Sequence, residues 1–194
     1  MWSWLALLLA LQDTSPDLPV MQAQPVRRVV SEQGQALGHT GHVVLQFTLQ
    51  PDGSVADAEV TGSSRSEILD ADALTWLKNA RQSPRAAPAR IELTVSFLPD
   101  IPSVDCAEFL RQIRWYEAAW PERTYEEAWV YQMSVGAMTI RAMQESGGMA
   151  DLASRKRRLD EAVTATLASC EREPDKGYLE TLREHLDRPT SEAH

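Results

Sequence analysis

Long apolar runs are what this chain has least of. The longest, residues 2–11, holds Trp2, Trp4, Leu5, Ala6, Leu7, Leu8, Leu9, Ala10 and Leu11. That is half of the roughly 20 apolar residues that a membrane-crossing helix needs. The length suits the apolar core of a signal peptide, so residues 1–12 are expected to be one, with a shortened anchor as the other reading. Positive charge is also in deficit: 19 Lys and Arg stand against 28 Asp and Glu, a net charge of −9. The excess of acid is spread over both halves, −4 in residues 1–100 and −5 in residues 101–194. Bulk attraction to nucleic acid or to an anionic membrane is thereby excluded. The run Arg155-Lys156-Arg157-Arg158 is the local exception, read as a solvated helix face or a contact for phosphate or an acidic partner. Cysteine is scarce, with Cys106 and Cys170 alone, and neither has metal-ligand company at useful spacing. His39 and His42 lie close together without a Cys or carboxylate cluster, so no metal site and no cofactor are expected. No nucleophile motif, phosphate loop, internal repeat or low-complexity segment is visible, and no catalytic residue is assigned.

What is present is a sharp change of period. Apolar residues make up 43% of the chain, enough for a buried core. Residues 13–35 read as a short polar leader, linker or short helix, with Pro16 and Pro19 among Gln, Asp, Thr and Ser. Residues 42–49 then alternate, Val43, Leu45, Phe47 and Leu49 on one side and Val44, Gln46 and Thr48 on the other, the period of a strand. Pro51-Asp52-Gly53 supplies a hairpin turn, and residues 54–61 make a second strand. Ser64 and Glu67 have the spacing of a capping box. The helix they open carries Leu69, Ala73, Trp76, Leu77 and Ala80 as one stripe and stops at Ser83-Pro84. Residues 90–98 alternate again, with Ile91, Leu93, Val95 and Phe97 on one face.

Beyond Pro99-Asp100-Ile101-Pro102 the spacing becomes helical. A helix is expected over residues 105–119. A second, opened by a capping box of Thr124 and Glu127, ends at Gly147-Gly148. A third holds Leu159, Val163, Leu167 and Cys170, and a short fourth holds Tyr178, Leu182 and Leu186. Tyr125, Trp129, Tyr131, Met133, Met138 and Met143 make the second helix rich in aromatic and Met side chains, either as core or as an apolar surface for partner peptides. Cys106 and Cys170 are either one disulfide, in an exported chain, or two buried thiols.

The first module resembles the C-terminal domain of the TonB family. The resemblance is carried by Gly41, Val43-Val44-Leu45-Gln46-Phe47, Pro51-Asp52-Gly53-Ser54-Val55, Ala58-Glu59-Val60, Ser63-Ser64, Leu69-Asp70, Ala73-Leu74 and Ala80-Arg81. It implies residues 36–98 as a three-stranded antiparallel sheet with a packed helix, and hence an α+β fold. It also implies an edge strand, Ile91, Glu92, Leu93, Thr94, Val95, Ser96 and Phe97, that receives a TonB-box segment of an outer-membrane receptor by strand addition. A self-pairing homodimer edge, or one covered by the C-terminal helices, are the other readings of that strand. The family's membrane anchor, which docks with ExbB and ExbD, and its long Pro-rich spacer are not evident, and Gln24-Pro25-Val26-Arg27-Arg28 stands where the family has Tyr-Pro.

Residues 103–188 faintly resemble the HdeA-type periplasmic helical proteins, on Asp105-Cys106-Ala107-Glu108-Phe109-Leu110 and Ala168-Ser169-Cys170-Glu171. That resemblance implies a small all-α domain in which a Cys106–Cys170 disulfide joins the opening of one helix to the close of a later one, with a disordered tail at 189–194. The expected function is a periplasmic, non-catalytic adaptor that binds an outer-membrane receptor or envelope partner by strand addition. The alternatives are a TonB-type energy transducer for outer-membrane transport, if an anchor lies upstream, and an acid or envelope-stress chaperone acting through the helical domain.

Overall fold

Alternation of apolar and polar residues builds a mixed sheet, and 3.6-residue spacing builds the helices beside it. The structure, a computed structural model, describes residues 19–28, 30–80, 83, 85–146 and 152–187. The expected signal segment, Pro84, Gly147-Gly148 and the tail 189–194 lie outside the described residues.

The elements run β1 Val20–Gln22, β2 Val26–Arg28, α1 Glu32–Ala36, β3 Gly41–Leu49, β4 Val55–Gly62, α2 Glu67–Asn79 and β5 Ala89–Phe97. They continue as α3 Cys106–Ala119, α4 Trp129–Ser146, α5 Leu152–Cys170 and α6 Tyr178–Leu186. β3 and β5 pair antiparallel through nine consecutive residues, from Gly41 opposite Phe97 to Leu49 opposite Ala89. β4 pairs antiparallel with β3 on its other side. The hairpin between β3 and β4 closes as its sequence dictates. Gly53 takes φ +81°, and the Asp52 carboxylate accepts from the Ser54 backbone N–H at 2.9 Å and its hydroxyl at 2.6 Å.

One face of this sheet is apolar. Val43, Leu45, Val95, Leu69, Ala73 and Leu77 are buried completely where α2 covers it. Each large aliphatic side chain so placed contributes about 1.5–3 kcal/mol relative to exposure. α2 is capped by Ser66, whose Oγ accepts from the Leu69 N–H at 3.2 Å, and not by Ser64 as the capping-box spacing suggests. Asp70, in the first turn, holds the loop that precedes the helix. Its carboxylate takes hydrogen bonds from the Ser63 hydroxyl (2.6 Å), the Ser64 N–H (3.0 Å) and the Ser64 hydroxyl (2.8 Å). The Ser64 Oγ accepts from the Ser66 N–H at 3.2 Å, inside the loop before the helix, and Ser66 caps the helix itself.

The three-stranded antiparallel expectation is corrected by the leader. β1 and β2 both pair with β5, and both run parallel to it, making the sheet five-stranded and mixed. Three-residue strands are too short to show a period of two, so the residues of the leader concealed them.

The helices gather a second core. Phe109 and Tyr178 stack with ring centroids 4.0 Å apart, among Ile113, Tyr116, Val130, Tyr131, Val163 and Leu182. Burial pushes the Tyr178 hydroxyl up to about 12. Cys106 opens α3 and Cys170 closes α5, and a disulfide joins them. Asp105 caps α3, accepting from the Glu108 N–H at 2.7 Å. The loop before α6 supplies further backbone bonds, from Cys106 N–H to Lys176 O at 2.8 Å and from Tyr178 N–H to Val104 O at 3.0 Å. The second capping box is a correction too. Thr124 makes no side-chain cap, residues Tyr125–Glu127 form a single 3-10 turn, and α4 starts at Trp129. Ala128 is extended at ψ 141°, which breaks the helix that the spacing implied.

Candidate strand-addition site

The residues expected to form a partner-binding edge occupy β5, and the structure divides them by pleat. Ile91, Leu93, Val95 and Phe97 point into the core under α2. Glu92, Thr94 and Ser96 point to the opposite face, with Arg90. Side-chain direction follows from the period of two alone.

The backbone of β5 is not open on its outer side, as an edge strand would be. Val20, Met21 and Gln22 lie opposite Arg90, Ile91 and Glu92, and Val26, Arg27 and Arg28 lie opposite Val95, Ser96 and Phe97. Four residues of leader advance from Gln22 to Val26 while β5 advances three, from Glu92 to Val95. The leader therefore carries one extra residue, a bulge at Ala23-Gln24-Pro25. The Ala23 N–H still reaches Glu92 O at 2.9 Å, whereas Pro25 has no N–H to give.

Side chains add selectivity to this pairing. Gln22 Nε2 donates to the Glu92 carboxylate at 2.5 Å. The Arg27 guanidinium donates to Pro99 O at 2.6 Å and to Leu98 O at 3.4 Å. On the helix side Val26 packs against the core and the Arg28 guanidinium sits 5.3 Å over the Trp76 ring. On the other face a polar row continues across the sheet, with Arg90 donating to Gln46 Oε1 at 2.8 Å and lying 3.5 Å from Glu59.

The opposite border of the sheet is β4, and it is poorly built for accepting a strand. Its register with β3 shifts twice, between Val44 and Leu45 and between Gln46 and Thr48. Asp57 takes φ +52°, and Asp57 and Glu59 are exposed. Bulges and charges of this kind are how sheets blunt an edge.

Four contacts seat α3 and α4 against the sheet half. The Gly38 backbone lies against Arg111 and Gln112. His39 faces Trp115 at 5.0 Å and hydrogen-bonds with Ser66 Oγ at 2.7 Å. The Arg65 guanidinium lies 3.8 Å over Trp120, donates to Ala119 O at 2.8 Å and meets Glu122 at 3.1 Å. His42 hydrogen-bonds with Ser96 Oγ at 2.8 Å and meets the Trp129 ring edge-on at 4.4 Å. Burial holds both imidazoles below their ordinary pKa. The sequence offered these histidines only as poor metal ligands, because their partners come from residues 27 to 87 positions away. Among the described residues no group of three or more His, Cys, Asp and Glu is arranged to hold a metal ion. Nor is any described helix long and apolar enough to cross a membrane.

A family model described as Gram-negative bacterial TonB protein C-terminal matches residues 31–98. No curated protein and no solved structure matches the chain. Domains of this family interact with proteins, outer-membrane receptors among them, and are not enzymes. The match opens at Ser31, the cap of α1, and closes one residue past β5, so β1, β2 and the helices α3 to α6 fall outside it. The unit formed by α1, β3, β4, α2 and β5 is thus the part of the chain that matches the TonB C-terminal family.

Proposed function

We propose that this chain is a periplasmic, non-catalytic adaptor that takes an extended segment of an outer-membrane receptor, or of another envelope protein, as an added strand along the outer side of β5. The acceptor residues are Ile91, Glu92, Leu93, Thr94, Val95, Ser96 and Phe97. One observation carries the reading: the outer side of β5 already accepts two short strands in parallel orientation, while its inner side pairs with β3 through nine residues. Backbone hydrogen bonds supply affinity in this mode, and alternate side chains supply selectivity. The bulged, acidic border at β4 is the poorer acceptor.

The test is a titration of the full chain with a receptor TonB-box peptide, followed in amide NMR spectra. Residues 91–97 are expected to shift with the peptide. Resonances there that stay unchanged at millimolar peptide remove the strand-addition reading.

A further inference from the structure

We propose that residues 20–28 are a built-in competitor for the β5 site, so that a partner strand binds by exchange with the chain's own leader. This rests on the adaptor reading above and adds its regulation, and the leader also serves as a template for the partner's sequence.

The leader and an incoming strand need the same main-chain groups. Glu92 O, for example, is taken by the Ala23 N–H, and a β5 carbonyl facing outward serves one added strand at a time. The leader is well placed to be exchanged. It holds on through two three-residue strands separated by a bulge with a proline. Val20 and Met21 are each 45% exposed despite being apolar, so little hydrophobic burial resists their departure. The segment that follows is fixed independently, since α1 is capped by Ser31 and Gly34 packs close to Leu69. Release of residues 20–28 therefore gives up the contacts of Ala23 and Val26 with the core and of Arg28 with Trp76, while the pairing of β3 with β5 is made without the leader.

The grip is nonetheless selective, and it describes what replaces it. The incoming segment runs parallel to β5. It places apolar side chains at the positions of Met21 and Val26, which share the α2 side of the sheet with Ile91 and Val95. It places a hydrogen-bond donor opposite Glu92, as Gln22 does, and a cation near Leu98 O and Pro99 O, as Arg27 does. Because the leader is tethered a few residues from its site, its effective concentration is in the millimolar range. A free segment binds only when it outcompetes that tether.

The experiment uses the full chain and, as probe, a synthetic peptide of residues 18–31 labelled with a fluorophore, with a receptor TonB-box peptide in a parallel arm. Two variants weaken the internal copy. One is Gln22→Ala with Arg27→Ala. The other leaves every contact intact and inserts a flexible Gly/Ser stretch of about 30 residues after residue 29, which lowers the effective concentration about tenfold. Both variants are expected to bind the leader peptide several-fold and up to about tenfold more tightly than the unaltered chain, with shifts at residues 90–97. Equal affinity in all three proteins, or no shift at β5 in a variant whose melting is native, overturns the proposal. If the receptor peptide binds the unaltered chain and both variants equally, exchange is wrong and the adaptor reading survives. If the leader peptide exchanges while the receptor peptide binds none of the three, exchange stands and the receptor reading falls.

Discussion

At the scale of single residues, the joint between the sheet and the helices depends on groups chosen for shape and charge. Gly38 has φ +75°, and a Cβ there would meet the Arg111 carbonyl carbon at 2.5 Å. Both a left-handed backbone and a backbone clash oppose any side chain. Gly38→Ala is expected to lower stability by about 2–4 kcal/mol, read from the urea midpoint, and a shift below a few tenths would contradict the close approach. Arg65 is a contrasting case. It also has a left-handed backbone, φ +65°, but its side chain remains partly exposed against Trp120 and Glu122. Contacts of a cation with an aromatic face and of exposed ions are each worth about 1 kcal/mol or less. Arg65→Ala is expected to cost about 1 kcal/mol while changing Trp120 emission, and unaltered emission would show that the stacking is not populated.

At the scale of elements, long regular patterns were legible and short or tertiary ones were not. The alternation at Val43, Leu45, Phe47 and Leu49, and again at Ile91 to Phe97, places β3 and β5 to within a residue. The stripe of Leu69, Ala73 and Leu77 is the buried face of α2. The helices start later than the capping-box spacing at Ser64 and Thr124 implies, because that spacing does not register the loop bond from the Ser66 N–H to Ser64 or the extended backbone of Ala128. The pairing of β1 and β2 along the outer side of β5 is hidden from the sequence for a similar reason. Whether a strand borders solvent depends on what folds beside it, and Val20 and Val26 were the slight β-branched signal that something would. The two cysteines show how much a single cross-link settles. A disulfide closing 64 residues stabilises by about 4 kcal/mol in the chain-entropy model. Cys106→Ala with Cys170→Ala is expected to lower the stability of the helical half by about that amount while β5 amides keep their protection in hydrogen exchange. Loss of protection in both halves together would show that the two cores melt as one.

For the molecule as a whole, two hydrophobic cores are joined through polar and aromatic contacts, and two histidines sit in that joint. Burial lowers the pKa of both His39 and His42. Each binds more protons in the unfolded chain than in the folded one, so the stability they permit is complete above the unfolded value of about 6.5. It is lost as pH falls from there through their folded values, because burial disfavours the charged form of each ring. Acidification from pH 7.5 to about 5 is expected to weaken the joint, seen in tryptophan emission, and His39→Gln with His42→Gln is expected to flatten that dependence. A response of equal size in the double variant would assign the titration to other groups. The leader has a consequence of another kind, in how the molecule bears force. It enters the sheet beside Arg90, whereas β5 leaves it beside Arg28 and runs on toward the helices. The two exits point to opposite ends of a parallel pair. Tension between residue 19 and the helical half therefore slides the leader along β5 and loads its backbone hydrogen bonds in shear, all at once, whereas a pull across the sheet would open them singly like a zip.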